Sequence, residues 1–567
     1  MSSSLNKKVI AKDSGYYALI HGYSDGFKVN VVDCVTEEAK TRLSIECKNI
    51  KKFVKDFSKT FNSNYKAIIF NVFPCFNAAN PNNIELCYKL KEQVEKLKIP
   101  YYFISPDMYF PSLALAVTKF TCEPNDVIFI PVVSSAVICS YAYRREATGY
   151  LNIRQRAVSI NETENEKQFK DAFYGNLDPK KIIAHSIPPN SRTMNALRKI
   201  VPPQKLIVNE QGIGQKQVLI EMAKWVLDPT SNNKCYFKPR NARRFYASST
   251  DKDNIQNAVI VIEYNEELPL TRKHLFPRTI SQLYLTHSFA EPNPFLHFFK
   301  TCTPEAAADC HQYELNFSID NNNLPKAVIK NVMIPQIETL PLTLDKFMKD
   351  RHPVIAFFDN SSVICIFNDK SGKYEFLESW NGVYGKDIFL NLKPEKPVLE
   401  YTSPVDSKSV ITFTDICSFT ASQAIPTLND GLKLIKNATT QSTLEFERSD
   451  GTQGFSTPAF LMAFILREHY MAIKRKTGIK HEKLGIHYFK NFQEPKKVEE
   501  GRHADEQYGW QFLSDLQTKH DIQILLKESC NMLRVQYSDE ATKVMENMGF
   551  TLDEGRILVM PPMYLDK

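Results

Sequence analysis

The sequence predicts an α/β protein with two lobed regions on either side of a β-rich middle. Three observations lead there. The order helix, strand, helix, strand, helix, strand occurs twice, about 400 residues apart. Each copy is preceded by apolar runs split by a small polar turn, the pattern of a β-hairpin. Between the copies the composition shifts to Asn, Pro and Thr, and helical periodicity fades. The expected organisation is a first lobed region over 1–230, a β-rich domain with linkers over 231–345, and a second, partial lobed region over 346–567.

In the first region the hairpin spans Tyr17 to Val29, with its turn expected at Ile20-His21-Gly22-Tyr23-Ser24. Ile50 to Phe61 reads as helix, and Lys66 to Val72 as a buried strand. Ile84, Leu86, Leu90, Val94 and Leu97 recur at helical spacing over Asn83 to Lys98. A strand over Tyr101 to Ser105, an apolar helix around Ser112 to Phe120 and a strand over Val127 to Ile130 close the copy.

The second region opens with the hairpin Pro353 to Phe367, followed by Tyr374 to Leu377. Ser456-Thr457-Pro458 is a helix start, a hydroxyl cap ahead of a proline, and Gly478 is its stop. Strands are expected at Leu484 to Phe489, Ile522 to Leu526 and Ile557 to Met560. Helices are expected near Trp510 to Gln517 and Glu528 to Tyr537. In the middle region the strand candidates are Ala258 to Tyr264 and Ala327 to Met333.

Bulk composition excludes several classes. With 567 residues, 43% hydrophobic and 24% charged, the chain can bury several cores without disulfides or metals. A net charge of +7 over this length neither requires nor rules out nucleic acid. No apolar stretch is long enough to span a bilayer, so no membrane partner is expected. The start MSSSLNKKVIAKDSG lacks the apolar run of a secretory signal, and the expected location is cytoplasmic or nuclear. The 12 cysteines, scattered through apolar runs, fit buried thiols in a reducing compartment. His297, Cys302, Cys310 and His311 form the densest candidate metal group, but their spacing matches no standard zinc module. No metal and no cofactor are expected.

The order of parts resembles the ATPase domain of the 70-kDa heat-shock chaperones (DnaK type), within the actin-like ATPase superfamily. KAIIFNVFPCFN (Lys66 to Asn77), DVIFIPVVSSAV (Asp126 to Val137) and the segment Lys180 to Asn209 are similar to that family's core strand, second phosphate loop and adenosine-side segment. PVIAFFDNSSVICIF (Pro353 to Phe367) resembles its first phosphate hairpin. Ser409 to Asp415 and Lys527-Glu528-Ser529-Cys530 resemble two further segments. The resemblance covers about two thirds of the chain and implies a fold of paired ATPase-like lobes.

Phosphate loops need an Asp for the metal-bound water and small residues that let backbone amides reach phosphate. Here Pro131 occupies the Asp position, and Val132 and Val133 stand where glycines should be. Ile187, Pro188 and Pro189 replace the diglycine of the adenosine loop. The whole chain holds 19 glycines, about 3%, against a usual 7% or so. The expectation is a pseudoenzyme: a catalytically inactive, chaperone-like adaptor that binds other proteins. Two alternatives stand beside it, a divergent ATP-dependent chaperone and a structural subunit of a ribonucleoprotein or chromatin complex. The second would use the basic run Lys238 to Tyr246, where Lys238, Arg240, Arg243 and Arg244 are the candidate nucleic-acid or partner contacts. A solvated linker is the plainer reading of that run. Likewise Asp359 reads as an ordinary turn aspartate, Glu528 as a first-turn helix acid and His21 as a solvated turn histidine.

Overall fold

The computed structural model describes residues 15–23, 26–73, 83–159, 165–186, 190–209, 214–230, 235–249, 258–288, 296–304, 309–394, 397–401, 410–412, 432–435, 443–456, 458–481, 484–489, 551–553 and 557–559. These fall into two compact units. One holds Met1–Lys273, Gln282–Cys302 and Asn316–Val328; the other holds His274–Ser281, Thr303–Leu315 and Ile329–Lys567.

The first unit begins with strands β1 (Tyr16–Gly22), β2 (Phe27–Asp33) and β3 (Ile45–Cys47). Short helices α1 (Ile50–Lys55) and α2 (Phe57–Thr60) lead to β4 (Tyr65–Asn71). Then come α3 (Asn83–Lys96), β5 (Tyr101–Phe103) and α4 (Pro106–Thr118). The sheet order is β3-β2-β1-β4-β5. β1 pairs antiparallel with β2 and parallel with β4, and β4 pairs parallel with β5. The central strands are buried on both faces and read as continuous apolar runs, as parallel strands covered by helices must.

Val127 to Ile130, expected to close this copy, instead opens a second sheet. Its strands are β6 (Val127–Val133), β7 (Val137–Glu146), β8 (Gly149–Ser159), β9 (Lys181–Ser186) and β10 (Leu206–Asn209). The order is β10-β9-β6-β7-β8, with β6–β7 and β7–β8 antiparallel and β6–β9 and β9–β10 parallel. That is the order of the first sheet repeated. Helices α5 (Glu166–Tyr174), α6 (Arg192–Ile200) and α7 (Gln215–Leu227) complete this lobe. The duplication expected across 400 residues therefore first occurs in tandem.

Packing explains the layering. Leu19, Ala67 and Ile69 of the first sheet and Ile128, Ile130 and Ile183 of the second share one core with Leu113 and Leu115 of α4 and Val218, Leu219 and Met222 of α7. The far face of the first sheet packs on Phe53, Phe57, Phe61, Leu90 and Val94. The far face of the second packs on Phe169, Phe173, Met194 and Leu197.

The middle region is β-rich, as composition suggested. β11 (Arg244–Ser248), β12 (Ala258–Ile262), β13 (Leu270–Pro277), β14 (Leu283–Ser288), β15 (His297–Cys302), β16 (Gln312–Ile319) and β17 (Pro325–Val332) form two sheets. Their orders are β12-β11-β14-β15 and β13-β16-β17.

In the second unit α8 (Pro335–Glu338) and α9 (Leu340–Phe347) precede β18 (Val354–Phe358), β19 (Ser361–Asn368) and β20 (Lys373–Phe376). β21 (Lys386–Asp387), β22 (Phe389–Asn391), β23 (Val398–Glu400), β24 (Val410–Thr412), β25 (Leu432–Ile435), β26 (Thr443–Glu447) and β27 (Gln453–Ser456) follow. The long helix α10 (Pro458–Thr477) ends at Gly478 with φ 67°, and β28 (Gly485–Phe489) comes after it. The order β20-β19-β18-β28, with β18–β28 parallel, is a third occurrence of the lobe pattern. Ile355 and Phe357 pack with Leu461, Ile465 and Ile473 of α10; Val354 and Ala356 pack with Ile337, Leu340 and Leu344. The elements expected near 510–537 lie outside the described residues.

Candidate functional site

Ligands of layered α/β sheets bind at the carboxyl ends of the parallel strands. In the first unit those ends carry His21 on β1, Asn71 on β4, Ser105 just past β5, His185 on β9 and Asn209 on β10. His21 is not a solvated turn residue. It is half-buried at the end of its strand, and its Nδ1 lies 3.1 Å from Asn71 Nδ2. Burial, aided by the Lys28 charge, lowers its pKa. A row of rings crosses from one lobe to the other. His21 packs on Tyr23 at 5.0 Å and on Tyr109 at 5.8 Å, Tyr109 on Phe110 at 5.8 Å, and Phe110 on His185 at 6.4 Å. Tyr109 and Phe110 come from the first turn of α4, where Pro106 fixes the helix start.

The turns likened above to phosphate loops are closed on themselves. β6 runs straight through Pro131, Val132 and Val133 instead of breaking into a loop. Pro131 has no N–H, and the β6–β9 ladder passes from Phe129↔Ile182 to Val132↔His185, leaving out Ile130 and Pro131. In the following turn Ser134 Oγ accepts from Ala136 N at 3.3 Å and Val137 N at 3.0 Å. The turn after β1 is closed by Tyr23 N donating to Gly26 O at 2.8 Å. Ile187, Pro188 and Pro189 lie outside the described residues.

The first turn of α4 is held from three directions. Asp107 accepts from Tyr264 Oη at 2.8 Å and from Tyr141 Oη at 3.5 Å, and Tyr143 Oη donates to its carbonyl at 3.3 Å. Burial raises the Asp107 pKa, and the two tyrosine hydroxyls oppose that shift. Nothing in the spacing of the sequence marks Asp107, Tyr141 and Tyr264 as neighbours.

In the second unit Asp359 is more than a plain turn residue. It is buried, holds φ 48° and accepts from Gln312 Nε2 at 2.8 Å. Deeper in, Ser362 Oγ lies 2.7 Å from His469 Nε2, while His469 Nδ1 lies 2.7 Å from Ile465 O. Trp380 Nε1 donates to the same hydroxyl at 3.0 Å. The distances suit a nucleophile and base. Both side chains are fully buried in an apolar core, and the serine oxygen is enclosed by the indole. The pair is therefore a satisfied polar pocket of the core.

The basic run 238–246 is not a solvated linker. Lys238 pairs with Glu146 at 2.6 Å, and Arg240 donates to Asn265 O at 2.7 Å and Asn152 O at 2.8 Å. Arg243 is 2% exposed, with its guanidinium 5.2 Å from the Phe73 ring centre. Arg244 opens β11 and pairs with Glu263 at 2.5 Å. Each of the four cations lies against a carboxylate, a backbone carbonyl or a ring of its own unit. The candidate metal group is divided between the two units: His297 and Cys302 are the two ends of β15 in the first, and Cys310 and His311 belong to the second. Among the described residues no cluster of three His, Cys, Asp or Glu is placed to hold a metal, and no helix is long and apolar enough to cross a membrane.

No family model and no curated protein matches this sequence. Solved structures overlap parts of it. A Bacteroides thetaiotaomicron protein with an actin-like ATPase fold and unknown function aligns at TM-score 0.24 and 12% identity, covering 38% of this chain and 99% of its own. The inorganic polyphosphate/ATP-glucomannokinase of Arthrobacter sp. strain KM aligns at TM-score 0.23 and 11% identity, over 38% and 98%. YeaZ from Pseudomonas aeruginosa aligns at TM-score 0.21 and 8% identity, over 37% and 92%. At these scores the likeness carries no argument of its own. The lobed α/β fold rests on the repeated strand order and the shared helical layer.

Proposed function

We propose that this protein is a catalytically inactive, chaperone-like adaptor that works by binding other proteins. The observation that carries the reading is the closed turn between β6 and β7. Ser134 Oγ takes the amides of Ala136 and Val137, and Pro131 sits in the strand where a metal-positioning carboxylate would be required. The lobes then act as a scaffold. The β-rich region offers the surface at the edges of its four-stranded sheet: in the row Val261, Tyr246, Thr286 and Phe298 the two inner side chains are buried and the two outer ones are open to solvent. Val261 is 39% and Phe298 43% exposed at the two ends. Large exposed apolar side chains on a sheet suit an extended polypeptide partner.

ATP titration tests the reading. A ligand at 100 times its dissociation constant stabilises a fold by about 2.7 kcal/mol. Millimolar Mg-ATP is expected to leave the melting temperature unchanged, with no hydrolysis above background. A logarithmic rise of Tm with ATP concentration would put the ATP-dependent chaperone reading first. A ribonucleoprotein role gains no support from Arg240, Arg243 and Arg244, which are engaged within the fold.

A further inference from the structure

In the second unit the turn between β18 and β19 is enclosed by two short stretches of the β-rich region that belong to the same unit, His274–Ser281 and Thr303–Leu315. At the centre is Arg278, whose side chain is 6% exposed. Its Nε donates to Asp387 Oδ1 at 2.6 Å. Nη1 donates to Cys310 O at 2.8 Å and Tyr384 O at 2.6 Å, and Nη2 donates to Gly385 O at 3.0 Å. Asp387 Oδ1 also accepts from Ser361 Oγ at 2.7 Å, and the guanidinium lies 5.7 Å from the centre of the Phe358 ring. Phe358 and Ser361 are the two residues that flank the turn. The turn residues themselves are held by the same stretches: Thr279 Oγ1 donates to Asn360 Oδ1 at 2.9 Å, and Gln312 Nε2 to Asp359 Oδ2. His311 adds a ring contact with Phe358 at 5.1 Å.

We propose that Arg278 is an intramolecular plug of the third lobe. Its fork fills the space around the β18–β19 turn, holds the lobe shut in cis and fastens it to the β-rich region. The turn is the counterpart of those after β1 and β6, where a ligand of such a lobe would sit. A planar guanidinium suits the position because four acceptors from two separate stretches, Cys310 and 384–387, must be met at once, and a lysine ammonium cannot reproduce that fork. Three of the four acceptors are backbone carbonyls, which stay in place whatever the neighbouring side chains do. An external ligand would have to displace a buried, multiply bonded cation, so the third lobe is closed to ligands while Arg278 is in place.

The test is chemical rescue followed by hydrogen exchange of the full-length protein. The Ile388 amide, which donates to Asn360 O at 2.8 Å, reports closure of the turn. Arg278→Ala and Arg278→Lys are expected to speed exchange at Ile388 by at least tenfold and to lower Tm. Low millimolar guanidinium should restore protection in Arg278→Ala; equal concentrations of sodium or methylammonium should not. Unchanged exchange in Arg278→Ala, or loss with no guanidinium-specific recovery, would overturn the proposal. Where Arg278→Ala does not accumulate as folded protein, Thr279→Val deletes one hydroxyl at nearly constant shape. Faster exchange at Ile388 in that variant supports the plug, and unchanged exchange overturns it. These readouts need no nucleotide, so they stand or fall separately from the adaptor reading.

Discussion

At the scale of single residues the lysines and arginines of 238–246 show the limit of reading charge from sequence. A dense basic run is normally a solvated face, because burying an unpaired cation costs several kcal/mol. Arg243 breaks that rule by lying inside the first unit over Phe73, and burial pulls its pKa down to about 10. No residue spacing announces this, since Phe73 is 170 positions away in sequence. The two neighbours should respond differently to charge reversal. Arg243→Glu places a carboxylate in that interior and is expected to cost about 3 kcal/mol or more. Arg244→Glu breaks an exposed pair with Glu263 and should cost about 1 kcal/mol at most. Urea unfolding of both variants decides; equal losses would mean that Arg243 is not buried as described. Two buried histidines set a pH dependence at the same scale. Burial holds His469 and His311 at about 4, below the usual value near 6.5. Protonation therefore favours the unfolded chain. The stability that these groups contribute is complete above about pH 6.5 and is lost as pH falls toward 4. Unfolding free energy measured at a series of pH values should decline through that window, and His469→Gln should flatten the slope.

At the scale of elements, most of the alternation was legible. The β1–β2 and β18–β19 hairpins, the amphipathic spacing of α3, and the proline start and glycine stop of α10 were all written locally, in apolar periodicity and turn chemistry. The missed element was the second sheet. Val127 to Val133 reads as one apolar run and looks like the close of a copy. Only the alternation in Val137–Glu146 marks a new hairpin: Ile138, Ser140 and Ala142 are buried between half-buried neighbours, the pattern shifts by one at the bulge between Ala142 and Tyr143, and Tyr143 and Arg145 are buried beyond it. Pro131 hid it further, because a proline normally argues against a central strand. The structure tolerates it by leaving Pro131 and Ile130 out of the β6–β9 ladder. The closed turn next to it carries a prediction. Ser134→Ala removes the acceptor for two amides and should cost about 1 kcal/mol. It should also raise exchange at Ala136 and Val137 while leaving ATP without effect. If the variant instead gained an ATP-dependent thermal shift, a single hydroxyl would be all that keeps phosphate out.

At the scale of the whole molecule, three occurrences of one lobe pattern sit in a chain whose units are not contiguous in sequence. The first unit takes strands β14 and β15 from Gln282–Cys302, beyond residues assigned to the second. Where the chain can be divided therefore follows from which pairings a cut preserves. Everything in the two tandem sheets and in the layer of α4 and α7 between them comes from residues 16–227. A fragment over 1–230 keeps all three of those layers and both outer helical layers. It is expected to fold alone and melt cooperatively. Among the contacts it gives up are Cys235 and Phe237 in the core between the sheets, Leu324 in the outer core, the Tyr264 bond to Asp107, the Lys238–Glu146 pair, the Arg240 bond to Asn152 O, the Asn322 Oδ1 bond from Phe103 N at 2.9 Å, the Tyr88 bond to Pro325 O, and Arg243 over Phe73. Its Tm should fall below that of the full chain. A fragment over 1–273 ends where the first unit is interrupted: it recovers Phe237 in the core, Tyr264 on Asp107 and Arg243 over Phe73, but β11 and β12 lose β14 and are left as a two-stranded ribbon, which is marginal in water. Residues beyond 230 in that longer fragment should be cut readily by protease while the lobes survive. Circular dichroism melts with limited proteolysis of the two fragments provide the check. A 1–273 fragment that resists cleavage throughout would show that β11 and β12 hold without β14, and a 1–230 fragment that never melts cooperatively would show that the tandem lobes depend on the β-rich region for their fold.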